Sequence, residues 1–166
     1  MQRILLFSLL LLTAACQSGT EKEDGQSEAP AVDLEEVLPG TWESVSLRVE
    51  VNSAQGQDTS YVFEVKEEEW VRRLGMKPVK TYYLPEKKYR QEFTNRSDSL
   101  VNTSRGIWNV FGDTLMMIAP DATYQYTVKV ENGLAEYRTL MDWDGDGAVD
   151  DAYLGRQRQI SRGVED

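Results

Sequence analysis

Asp142, Asp144, Asp146 and Asp150 fall within nine residues of the run DWDGDGAVD, in a chain whose net charge is already −10. Alternate residues of a tight loop can aim their side chains at one centre. Calcium is a hard cation that takes about six to eight oxygens. On this spacing the four aspartates supply carboxylates, the Ala148 carbonyl adds a further oxygen, and Gly147 permits the bend that closes the loop. Four carboxylates converging without a cation would raise one another's pKa values and strain the loop. The metal-free alternative is a solvated acidic turn, since Asp and Gly both favour turns. The acidity leads us to expect structural calcium, held weakly, at about 10⁻⁴ to 10⁻³ M as in extracellular modules. The fifth acid, Asp151, is expected to lie outside that shell.

Little else in the composition offers chemistry. The chain has no histidine, and Cys16 is its single cysteine. The usual general base near neutral pH is therefore missing, and an intrachain disulfide, a cysteine zinc site and a Cys–His nucleophile are excluded. Carboxylates could in principle hydrolyse a glycoside, but no pair stands out beyond the aspartate loop, so a non-enzymatic protein is expected. With 28 acidic residues against 18 basic ones, the chain lacks the basic footprint that nucleic acid requires. The basic segment Arg72, Arg73, Lys77, Lys80, Lys87, Lys88 and Arg90 follows an acidic stretch and reads as a solvated, polarised surface; the alternative is a site for an anionic glycan or lipid headgroup. The aspartate loop resembles an EF-hand loop through its ninth residue. Tyr153, however, stands at position twelve, where the EF-hand carries glutamate, and strands rather than helices flank the loop. The loop is more similar to the shorter calcium loops on β-hairpins of integrin-type propellers, which end in an acid at position nine, here Asp150.

The amino terminus reads as an address. Arg3 precedes the apolar run Ile4–Leu12, and Thr13-Ala14-Ala15 supply small residues before Cys16, the pattern of a secretory leader. LTAAC resembles the lipobox of bacterial lipoproteins in the looser form found in Bacteroidetes. The resemblance implies cleavage before Cys16, lipid on its sulfur, and anchorage in the bacterial envelope at the outer membrane, on its periplasmic or outer face. A soluble secreted protein with a spare thiol is the alternative. Residues 16–37 then form a lipidated cysteine and a flexible acidic tether too polar to repay ordering.

Residues 38–162 alternate with a period of two, the sign of half-buried antiparallel strands. Val45, Leu47, Val49 and Val51 define one such face, Tyr89, Gln91 and Phe93 another, and Tyr124, Tyr126, Val128 and Val130 a third. Turn residues separate the runs, with Asn132-Gly133 the strongest hairpin signal. The pattern predicts an all-β, up-and-down antiparallel meander of eight or nine strands with one short helix over Glu67–Leu74. A barrel is favoured over a sandwich because closure removes exposed edges. Residues 163–166 are left as a tail.

LPGTW at Leu38–Trp42 resembles the Gly-x-Trp opening of lipocalins. With GIWNVFGDTLMMI, DWDGDG and YLGRQRQI, the stretch from Leu38 to Ile160 is similar to the lipocalin-like lipoproteins of Bacteroidetes. The resemblance implies a barrel plugged at one end by Trp42, with Arg156, Arg158 or Arg162 packed over that ring. It also implies a small apolar or amphipathic ligand inside, with Tyr61, Phe63, Phe93, Tyr124, Tyr126 and Tyr137 as candidate lining. The rival reading is an envelope interaction module with a filled core, binding a protein or glycan.

Overall fold

The computed structural model describes residues 32–163. The expected leader, Cys16 and most of the tether lie outside the described residues, as do 164–166.

The alternating runs form nine strands: β1 (Gly40–Val51), β2 (Tyr61–Val65), β3 (Lys80–Tyr83), β4 (Lys88–Thr94), β5 (Leu100–Phe111), β6 (Thr114–Ile118), β7 (Thr123–Glu131), β8 (Leu134–Met141) and β9 (Asp151–Ser161). From β3 onward each strand pairs antiparallel with the next, and β9 returns to β1, which closes an eight-strand barrel. The ninth strand, β2, shares one edge of β1 with β3: β1 pairs with β3 through Gly40–Glu43 and with β2 through Leu47–Val51. Asn132 and Gly133, with φ of 50° and 74°, make the expected hairpin turn between β7 and β8.

The burial phase of β1 changes half-way along. Trp42 is buried at an even position, then Leu47, Val49 and Val51 at odd ones. A bulge accounts for the switch, because Ser44 and Ser46 face the consecutive residues Gln157 and Arg156 and leave Val45 unpaired. The Val45 carbonyl accepts from the Trp70 indole at 3.0 Å. That bond docks α2 (Trp70–Leu74), which, with the 3₁₀ turn Glu67–Glu69 before it, fills the expected helical segment.

The interior is packed in two clusters. At the end where β1 begins, Trp42, Tyr83, Tyr89, Trp108, Leu115, Val128 and Tyr137 fill the barrel. The short helix α1 (Leu34–Val37) closes this end: Leu34 and Leu38 are buried, and the Trp42 indole donates to the Leu38 carbonyl at 2.8 Å. The core thus begins at Leu34, four residues before the expected barrel boundary, because that leucine has the plug to pack against. Arg156 and Arg158 turn outward to Glu136 and Glu67, at 2.7 and 2.9 Å. A different cation stacks on a different ring here, Lys87 over Trp108 at 4.3 Å. The second cluster lies under α2, between Leu47, Val49, Val51, Val65, Trp70 and Val79.

Candidate functional site

At the open end the two sides of the barrel differ. The β8–β9 connection carries the aspartate loop, which lies against the β1–β2 connection. Within the loop, Asp142 accepts the Gly145 and Gly147 N–H groups, Asp144 that of Asp146, and Asp146 that of Ala148, at 2.8–3.2 Å. Across to the other loop, Gln55 N–H donates to Asp144 at 2.6 Å, Gly56 N–H to Asp146 at 2.8 Å, and the Ser53 hydroxyl to Asp150 at 2.8 Å. Ser53 and Gln55 adopt left-handed φ of 47° and 54°, and Gly147 one of 94°. Asp151 is the anchor. It is 1% exposed and accepts the N–H groups of Asn52 and Trp143 at 2.8 and 2.7 Å. A carboxylate this deep is tolerable because each oxygen takes a backbone donor.

For a cation, the geometry gathers a different set from the one the spacing gives. Asp142, Asp144 and Asp151 each bring one carboxylate oxygen within 4.8 Å of the others. Asp146 and Asp150 lie outside that trio, and they bond with the neighbouring loop through Gly56 and Ser53. The Ala148 N–H is held by Asp146, also outside the trio. Three hard oxygens suit calcium in kind and fall short of its usual six to eight. The same oxygens already serve as backbone acceptors, which gives each aspartate a structural use of its own.

On the opposite side, between β4, β5 and the β6–β7 turn, a cleft of about 610 Å³ opens at the mouth. Its greasy lining is Phe93, Met117, Tyr124 and Tyr126, and its polar lining includes Gln91, Asn102, Ser104, Arg105 and Asp121. Of the six residues expected to line a cavity, Phe93, Tyr124 and Tyr126 meet here. Tyr137 is instead buried in the closed-end cluster, its hydroxyl 3.4 Å from that of Tyr83. Phe63 packs on Trp143 at 5.6 Å with Arg73 over its ring, and Tyr61 is exposed on β2. Tyr126 stands edge-on to Tyr137 at 5.8 Å. Burial raises the pKa of the Tyr126, Tyr83 and Tyr137 phenols above the ordinary value, and that of Tyr153 to about 12, so these hydroxyls stay protonated donors at neutral pH.

Comparison with known protein families and with curated proteins finds no match.

Two sets of residues escaped the sequence reading. The polar cleft lining left a signal, because the inward positions of β5 run Asn102, Ser104, Gly106 and then Trp108. Small or polar side chains at inward positions leave space where a filled barrel would place bulk. Gly106 also lets β5 and β6 approach closely where the cleft meets the packed end. A Cβ there would meet the Ile118 carbonyl oxygen at 2.0 Å and the Tyr89 ring at 2.8 Å. Asp151 shares the inward parity of Tyr153 and Gly155, which marks it as interior. The Ser53–Gly56 partners of the loop left no comparable signal, since the contact spans some ninety residues of chain. The basic segment, for its part, is largely neutralised: among the described residues all of its members except Lys80 pair with a carboxylate.

Proposed function

We propose that this chain is a lipid-anchored protein of the bacterial envelope, a lipocalin-like barrel that binds rather than catalyses. Its ligand is a small apolar or amphipathic molecule held in the cleft. The observation that carries this reading is the change of lining along the barrel, from packed Tyr89, Trp108 and Val128 to open space beside Gln91, Asn102 and Ser104. A volume of about 610 Å³ falls within the range of small-molecule sites. The mixture of aromatic and polar lining favours a ligand with both characters. The test is titration with a fluorescent fatty-acid analogue. Saturable uptake should weaken about tenfold in Tyr126→Ala; linear, unsaturable partitioning would remove the reading.

Anchorage rests on LTAAC. Mass spectrometry of the mature protein should find acyl chains on Cys16, and Cys16→Ser should move the protein to the soluble fraction. Calcium at the aspartate loop is the third part of the reading. Its spacing-based ligands are Asp142, Asp144, Asp146, Asp150 and the Ala148 carbonyl, with Asp151 added by proximity to Asp142 and Asp144. Its role would be to brace the two loops against each other.

A specific observation favours the rival reading, an interaction module for a protein or glycan. Two packed clusters fill the closed end and the space under α2, which confines the cleft to the mouth of the barrel. Crosslinking on intact cells would recover such a partner, and a ligand extracted from the purified native protein would count against it.

A further inference from the structure

The cleft has a backbone wall as well as a side-chain lining. β5 pairs with β4 from Leu100 to Ile107, but with β6 only from Ile107 onward. Its first half therefore runs past the end of β6 with one edge unpaired among the described residues. Phe111 and Thr114 flank the two-residue turn Gly112-Asp113, so they form the hydrogen-bonded pair that closes the hairpin. The odd-numbered residues of β5 thus exchange their bonds with β6. Continuing the alternation, Thr103 and Arg105 aim N–H and C=O groups to the same side, where no strand follows among the described residues. Before them a bulge leaves Val101 unpaired with β4, since Phe93 faces Asn102 and Thr94 faces Leu100. Short side-chain bonds mark both places where a ladder stops. Thr103 N–H is capped by Asn102 Oδ1 at 2.8 Å, and Val110 N–H, aimed the other way beyond the start of β4, by Asn109 Oδ1 at 3.0 Å.

The surroundings suit one kind of occupant. Leu100 and Val101 are each 57% exposed. Arg105 is exposed and in no ion pair among the described residues, while Arg90, directly across from it on β4, has Glu92 at 3.3 Å and lies over the Tyr82 ring. A strand laid along this edge would alternate its side chains, one inward towards Phe93, Met117 and Tyr126 and the next outward beside Arg105. We propose that the free edge of β5 takes an extended peptide of another protein as an added strand, with an apolar side chain entering the cleft and an acidic one facing Arg105. The proposal rests on the cleft being a binding site and changes its ligand from a small molecule to a peptide. A second copy of this chain fits less well. Antiparallel self-pairing centred on Thr103 sets each Arg105 against the apolar Leu100–Val101 bulge, leaving both guanidiniums unanswered, and copies of net charge −10 repel each other.

The test uses two dye-labelled, capped peptides on the unaltered protein, Val-Glu-Val-Glu-Val and Val-Lys-Val-Lys-Val, beside the fatty-acid probe. The glutamate peptide should bind about tenfold more tightly than the lysine one, and Arg105→Glu should reverse that order. Methylating alternate backbone nitrogens of the peptide should abolish binding. Hydrogen exchange at the Arg105 amide should slow on binding. Thr103→Pro removes an N–H that β4 does not use and should weaken the peptide at least tenfold, with its melting curve confirming the fold. Equal binding of the two peptides, or undiminished binding of the methylated one, overturns strand addition. So does a concentration-dependent dimer that Thr103→Pro dissolves, which would assign the edge to a second copy. Probe uptake without peptide binding overturns this proposal and leaves the small-ligand reading standing; peptide binding without probe uptake does the reverse.

Discussion

The two sides of the barrel mouth are built on opposite plans. On one, the β1–β2 and β8–β9 connections are tied by aspartates that accept N–H groups from both loops, above the cluster of Val49, Val51 and Trp70. On the other, β5 outruns its neighbour and the inward positions turn small and polar. The first side turns most of its aspartates to holding backbone N–H groups in place. The second leaves Arg105 and Asp121 without ion-pair partners among the described residues, beside open volume. Order and vacancy are therefore separated across the same rim, and the proposed binding is assigned to the side with the open volume.

Substitutions can measure that contrast. The largest effect should come from the shared foundation: Trp42→Ala empties the closed end and should cost about 4 kcal/mol in denaturant unfolding. On the tied side, Asp151→Ala leaves the Asn52 and Trp143 N–H groups without acceptors and should cost about 3 kcal/mol. A loss no greater than that of a surface substitution would show the tie to be idle. Alkali should act next. Below pH 10 the Tyr153 phenol is protonated whether the chain is folded or not. Between pH 10 and about 12 the unfolded chain releases a proton that the barrel retains. Melting temperature should therefore hold to about pH 10 and then fall, with a shallower fall in Tyr153→Phe. Calcium in tenfold excess over its Kd should raise stability by about 1.4 kcal/mol, and identical melts with calcium and with chelator would leave the aspartates a purely hydrogen-bonding role. The smallest stability change belongs to the open side. Tyr124 is 46% exposed, and Tyr124→Ala should cost less than about 0.5 kcal/mol while still weakening probe uptake.

The strands were legible because a two-residue period is a local property, and the helix at Glu67–Leu74 was legible for the same reason. Closure of β9 onto β1 was inferable only from the general disadvantage of an open edge. The bulge at Val45 shows the limit. Sequence alternation continues from Val45 to Val51 without a break, yet Val45 is only half-buried, because the phase that matters is set by Trp42 at the plug. The aspartate loop was legible as a cluster of oxygens. Its ties to Ser53, Gln55 and Gly56 were not, since they depend on which loops the barrel brings together. Aromatic residues were a poor guide to the cleft for a similar reason: Tyr137 and Tyr126 stand on neighbouring inward positions of adjacent strands, and depth along the barrel decides which is core and which is lining.

The docking of α1 fixes the point at which the chain enters the barrel. The chain enters the barrel at Leu34, beside Trp42, at the pole opposite the cleft. Seventeen residues separate Cys16 from Leu34, a leash of at most about 60 Å. If Cys16 carries lipid as proposed, the attachment point would lie at the sealed base, at the far pole from the cleft. The anchor and the mouth would then be separated by the length of the barrel, so mooring the protein would not in itself obstruct what enters the cleft.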